Sequence, residues 1–184
     1  MEKDRILEEI YKYGDEAHGD QLRKYTPDRY MVHPRRVMNI CEPYYNSLPI
    51  LAAALLHDVL EDTPVTHTAM LRDLQQFMSR ADAEQTVKLV VELTDVYEKA
   101  AYPQLNRRKR KAKEVERMRA ISTEAQTIKY ADILDNASEI IPYDRQFAPV
   151  FLRECKTLFE AMDKGHPELR EKALTVVKTG LNHH

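Results

Sequence analysis

An all-α fold is predicted by three features of the sequence. There are only four glycines in 184 residues, no internal repeat is present, and apolar residues recur at spacings of three and four rather than two. No segment reads convincingly as a β-strand. The first helix runs from about Asp4 to His18, with Ile6, Leu7, Ile10, Tyr13 and Ala17 on one stripe. A polar loop containing Pro27 then leads to His33. Pro34 suits the first turn of a second helix carrying Val37, Ile40, Cys41 and Tyr44. Pro49 opens a third helix that includes His57 and Asp58 and stops at Thr63-Pro64, because a residue before proline is pushed out of the helical region.

Further helices are expected over Thr68 to Met78, Asp82 to Asp95, and about Asn106 to Ala120 after a turn-rich stretch around Pro103. Thr123 with Gln126 has the form of a capping box that starts a helix from Glu124 to Ile141. Two closing helices cover about Gln146 to Asp163 and Pro167 to Thr179, with Gly165 after the first, Pro167 starting the second and Gly180 ending it.

The length fits one domain, expected to span 1–184 with its core over about 5–165 and the last helix over about 167–180. With 28 basic and 30 acidic residues the formal charge is −2, which gives no global pull towards nucleic acid or anionic membrane. Cys41 and Cys155 are too few and too far apart for a disulfide framework or zinc knuckle. The start Met1-Glu2-Lys3-Asp4-Arg5 lacks the apolar stretch of a signal peptide, so a reducing cytoplasm is the expected compartment. The longest apolar run, Leu48 to Leu56, is far below the roughly 18 residues a membrane span requires. His183-His184 has the form of a purification-tag remnant and carries no weight as a ligand pair.

The most informative segment is Ala52-Ala53-Ala54-Leu55-Leu56-His57-Asp58-Val59-Leu60, followed at once by Glu61-Asp62. An imidazole and a carboxylate in so apolar a segment are costly unless a hydrogen-bonded partner or a metal ion compensates them. On a helix His57 and Glu61, Asp58 and Glu61, and Asp58 and Asp62 are neighbours, so one turn offers an imidazole and three carboxylates. Borderline-to-hard divalent ions accept that donor set, and no thiolate favours a soft metal, so Mn²⁺, Fe²⁺ or Mg²⁺ fits better than structural zinc. His33 and Asp132 are candidates to complete a set of two His and two Asp. The plainer reading of Asp132 pairs it with Lys129, three residues earlier, or with Lys156.

Four motifs then occur in order: Ala17-His18-Gly19-Asp20-Gln21-Leu22-Arg23-Lys24, Tyr30-Met31-Val32-His33-Pro34, the block from Ala53 to Pro64, and Lys129-Tyr130-Ala131-Asp132 with Asn136. Together they resemble the HD-domain (p)ppGpp hydrolases of the RelA/SpoT family, above all the small stand-alone alarmone hydrolases such as the metazoan SpoT homologue. The resemblance covers about residue 5 to residue 165. It implies an HD-domain helical bundle and one Mn²⁺ held by His33, His57, Asp58 and Asp132, with Glu61 and Asp62 handling water and protons. The implied reaction removes the 3'-pyrophosphate of guanosine tetra- or pentaphosphate, giving GDP or GTP and pyrophosphate. Arg23, Lys24 and Asn136 match positions that hold the nucleotide in the family.

The run from Arg107 to Lys113 is the densest basic patch, partly neutralised by Glu114 and Glu116. Within the family reading it would steer an anionic nucleotide, whereas a nucleic-acid role would call for interleaved aromatics. After Asn136, many bifunctional members carry Met or Leu, then Arg and Thr; here Ala137, Ser138 and Glu139 follow. Asp135 stands where an aromatic or His is common, and Thr94-Asp95-Val96-Tyr97 lacks the usual second aspartate. These departures keep open another nucleotide phosphate, such as the 2'-phosphate of NADPH, and a non-catalytic nucleotide sensor. No synthetase segment lies within the 184 residues, so degradation without synthesis is expected. The expected partner is a small-molecule nucleotide, with no nucleic acid and no membrane.

Overall fold

The computed structural model describes residues 2–183; among them the regular secondary structure is α-helix, joined by turns and loops, with an isolated antiparallel bridge between Leu22 and Arg29. Met1 and His184, the ends of the charged start and of the terminal His pair, lie outside the described residues. Two compact units divide between Thr94 and Asp95. The first holds α1 (Glu2–His18), α2 (Val32–Cys41), α3 (Leu48–Leu56), α4 (Val59–Asp62), α5 (His67–Leu74) and α6 (Arg80–Leu93). The second holds α7 (Arg107–Ala120), α8 (Thr123–Tyr143), α9 (Ala148–Ala161) and α10 (Pro167–Asn182).

Helix α3 is the spine of the first unit. All its residues from Pro49 to Leu56 are buried, as an all-round apolar helix must be, against α1, α2 and α6. Each fully buried leucine there stabilises the fold by about 1.5–3 kcal/mol relative to an exposed one. Contrary to the sequence reading, α3 does not include His57 and Asp58; it ends at Leu56. The His57 ring Nδ1 lies 2.8 Å from the Ala54 carbonyl oxygen, satisfying with a side chain an acceptor that a continuing helix would satisfy with backbone. His57 and Asp58 therefore form a turn before α4.

In the second unit α8 packs against α9 and α10. Tyr130, fully buried on α8, stacks on Phe159 of α9 at 5.3 Å and donates its hydroxyl to the Met162 carbonyl at 2.9 Å. Two expected boundaries move. The N-cap of α8 is Ser122, whose hydroxyl accepts from Ala125 N–H. Gln126 is buried and bonds the Met118 carbonyl and Lys164 N–H instead of closing a capping box. Gly180 does not end α10, which continues to Asn182; a Cβ there would meet Leu152 Cδ1 at 2.8 Å, so glycine serves close packing. Cys41 and Cys155 are both buried. Among the described residues no helix is long and apolar enough to cross a membrane.

Candidate metal centre

The first unit builds its site from the turn after α1, the start of α2 and the α3–α4 junction. Gly19 leaves α1 in the left-handed region (φ 58°), where glycine alone is unstrained. The chain then folds back on itself: Arg23 N–H donates to the Asp28 carbonyl at 2.9 Å and Tyr30 N–H to the Gln21 carbonyl at 3.0 Å. Arg29 pins this loop to α1 through a two-pronged contact with Asp15 at 2.9 and 3.0 Å. His33 follows on the first turn of α2 and is buried.

His33, His57 and Asp58 come together, each offering one ligand atom, with these atoms all within 4.8 Å of one another. His57 Nε2 lies 3.1 Å and His33 Nε2 3.7 Å from Asp58 Oδ2, while the two imidazole rings meet edge-on at 5.2 Å. Because the Ala54 carbonyl can only accept, the hydrogen bond it makes puts a proton on His57 Nδ1. In the neutral ring Nε2 then turns a lone pair towards a carboxylate oxygen, an arrangement that a cation resolves. Bonds of about 2.0–2.2 Å from imidazole nitrogen and carboxylate oxygen need donors spaced on this scale, so the residues present fit a divalent ion.

Glu61 and Asp62 lie one turn on, exposed, with their backbone N–H groups donating to the Asp58 carbonyl at 3.1 and 2.9 Å. These backbone bonds keep Glu61 and Asp62 within one turn of Asp58 although α3 ends at Leu56. Arg23 and Lys24 sit on the folded loop. The Arg23 guanidinium lies 5.4 Å from the Tyr30 ring centroid, and the exposed Lys24 ammonium lies 2.9 Å from Tyr25 Oη. Burial, and then the charges of Asp58 and Asp62, push the Tyr30 hydroxyl far above its ordinary pKa, so it stays a donor.

In the second unit Asp132 is buried on α8. Lys129 Nζ donates to its Oδ2 at 2.7 Å and Asn136 Nδ2 to its Oδ1 at 2.6 Å. The ion pair of the plainer reading is present, and the Asn136 amide is engaged with Asp132.

The basic run is less available than its sequence suggests. Arg107 grips Glu154 at 2.9 and 2.8 Å, Lys111 meets Asp95 at 3.3 Å, Arg110 donates to the Leu105 carbonyl, and the Lys113 ammonium lies over Tyr97. Glu114 does not neutralise this run as the sequence suggested. It is buried, accepting Val96 and Tyr97 N–H at 2.7 and 2.6 Å and Arg117 Nε at 2.8 Å. Sequence reasoning gave no role to Tyr30, His18 or Arg29, and a different one to Glu114. The one available signal was that His18 and Tyr30 lie inside the quoted motifs.

The family model described as HD domain matches residues 30–137, a span containing His33, His57, Asp58, Glu61, Asp62, Asp132 and Asn136. The bifunctional (p)ppGpp synthase/hydrolase SpoT of Escherichia coli (strain K12) is 36% identical over 78 residues, which is 42% of this chain and 10% of that protein. The bifunctional (p)ppGpp synthase/hydrolase RelA of Mycobacterium tuberculosis is 43% identical over 58 residues, 32% of this chain and 8% of that one. The chain thus spans at most about a tenth of the length of these curated relatives. Among solved structures, one described as a metazoan ortholog of SpoT that hydrolyzes ppGpp matches with a TM-score of 0.75 at 25% identity, covering 96% of each chain. A Listeria monocytogenes crystal structure has the same fold, with a TM-score of 0.62 at 21% identity over 82% of this chain and 99% of that one. With more than half of its length matched, and the His57-Asp58 pair inside the match, this chain belongs to the HD-domain family.

Proposed function

We propose that residues 1–184 act as a single HD-type hydrolase that removes the 3'-pyrophosphate of guanosine tetra- or pentaphosphate, yielding GDP or GTP and pyrophosphate. The observation that carries this reading is the convergence of His33, His57 and Asp58, with the His57 tautomer set by Ala54. The relatives named for (p)ppGpp hydrolysis support the substrate. His33, His57 and Asp58 would hold the metal with Asp132 as fourth ligand, Mn²⁺ being the first choice and Fe²⁺ or Mg²⁺ the alternatives. A divalent ion there supplies Lewis acidity towards a phosphoryl oxygen and towards water.

The chain's own groups do the rest. Water adds to the phosphorus attached to the ribose 3'-oxygen while that P–O bond breaks. One proton must leave the water and one must reach the departing oxygen. Glu61 and Asp62, exposed one turn beyond Asp58, take these general-base and general-acid tasks. Arg23 and Lys24 supply cationic and stacking contacts to the nucleotide, and Asn136 a neutral hydrogen-bonding one. The compartment is the cytoplasm, the partner a small-molecule nucleotide.

The test is product analysis with Mn²⁺-loaded protein. Release of pyrophosphate and GDP from guanosine tetraphosphate, abolished by Asp58→Ala, is the expected result. No release, with ready turnover of another phosphoester, overturns the assignment. A second reading keeps the metal and changes the substrate to another nucleotide phosphate, such as the 2'-phosphate of NADPH. The observation favouring it is local: Ala137 and Glu139 are buried, and Ser138 donates to the Asp135 carbonyl, where many bifunctional members carry Met or Leu, Arg and Thr. A substrate panel decides between the two, and any metal-dependent turnover excludes a sensor without catalysis.

A further inference from the structure

Tyr30 joins three parts of the first unit that the chemistry so far treats separately. Its hydroxyl donates to Asp58 Oδ2 at 2.8 Å, the same oxygen that faces His57 Nε2 and His33 Nε2. One face of its ring stacks on His18, the last residue of α1, at 4.3 Å and 26°. The Arg23 guanidinium lies 5.4 Å from its centroid, and the His33 ring meets it edge-on at 6.3 Å. The ring cannot turn without disturbing these neighbours, so the hydroxyl is held at a fixed point. His33 N–H also donates to the Tyr30 carbonyl at 3.1 Å, which ties the backbone of this tyrosine to the residue that bears the first imidazole.

A carboxylate oxygen has two lone pairs, and its rotation about Cβ–Cγ is soft. A donor locked onto one lone pair leaves the other aimed in one direction. We infer that Tyr30 is a positioning residue, a clamp on Asp58 Oδ2 that turns its remaining lone pair towards the two imidazole nitrogens. His18 and Arg23 hold the clamp itself. The inference rests on the metal centre proposed above. It requires neither the alarmone nor any particular substrate.

Tyr30→Phe removes only the hydroxyl and keeps the ring between its neighbours. In metal-stripped protein titrated with Mn²⁺, followed by calorimetry, this variant should bind about tenfold more weakly than the wild type, as expected for loss of an outer-shell hydrogen bond. With Co²⁺ as probe, its visible absorption bands should shift, and its thermal unfolding without metal should match the wild type within a few degrees. Tyr25→Phe, which removes a hydroxyl of the same loop that faces Lys24 rather than Asp58, should keep Mn²⁺ affinity within about twofold of the wild type. Equal Mn²⁺ affinity and an unchanged Co²⁺ spectrum in Tyr30→Phe overturn the clamp while leaving the centre intact. A wild type that binds neither ion overturns the centre, and the clamp with it.

Discussion

His57 Nε2 and Asp58 Oδ2 stand 3.1 Å apart although the two residues are adjacent in sequence and share a buried junction between α3 and α4. With Nδ1–H committed to Ala54, that closeness is a cost that a cation between the two atoms removes.

Asp58→Asn should therefore separate binding from stability. The amide keeps the size, can donate to His57 Nε2, and ends the repulsion, so the melting temperature without metal should equal or exceed that of the wild type. Mn²⁺ affinity should fall by at least about a hundredfold, on the order of 3 kcal/mol. Thermal scans with and without Mn²⁺ check both halves. A large drop in the metal-free melting temperature would show that the pair is an ordinary structural contact.

Glu114 is the anchor of the second unit's first turn. Replacing it with Ala strands the Val96 and Tyr97 amides and removes the Arg117 partner, which should cost about 3 kcal/mol in urea unfolding. Glu114→Gln keeps an oxygen for both amides and should cost clearly less. Equal losses in the two variants would mean that charge rather than the amide contacts matters.

Two glycines should fail for different reasons. Gly165→Ala drives a Cβ into Tyr130 Cε2 and to 3.0 Å from Thr127 N, an overpacking worth about 1–3 kcal/mol. Gly19→Ala meets nothing within 4 Å but must adopt a φ of 58°, for about 1 kcal/mol. Aromatic circular dichroism should change in the first, where Tyr130 and Phe159 stack, and stay constant in the second.

Burial pushes the Cys155 thiol from 9.0 up to about 12. Below pH 9 both folded and unfolded chains keep the proton and this group adds no pH dependence. Between pH 9 and about 12 the unfolded chain releases it while the folded one holds it, so stability falls as pH rises through that window. Cys155→Ala should flatten this part of the stability profile, measured as the difference between the two proteins in urea unfolding at pH 8 and pH 10. A parallel decline in both would rule the thiol out as its source.

The order of the helices was legible because an amphipathic or all-apolar stripe is a local property: α1, α3 and α8 can be read from residues three and four apart. His57 and Asp58 were legible as a site for the same reason, since charge within an apolar run needs no partner to be conspicuous. The break at Leu56 was not, because the side-chain bond from His57 to Ala54 competes with a backbone bond that the sequence allows equally well. Ser122 took the cap from Thr123 because the flanking turn, rather than the hydroxyl itself, decides which residue leaves the helix.

Composition and periodicity alone determined an all-helical chain with its chemistry at the end of its most apolar helix. Tertiary structure decided which side chains meet. Tyr30 reaches Asp58 across 28 positions and Arg107 reaches Glu154 across 47. Such pairs leave no periodic trace, because contacts between distant segments depend on how helices pack and on which polar groups that packing strips of water.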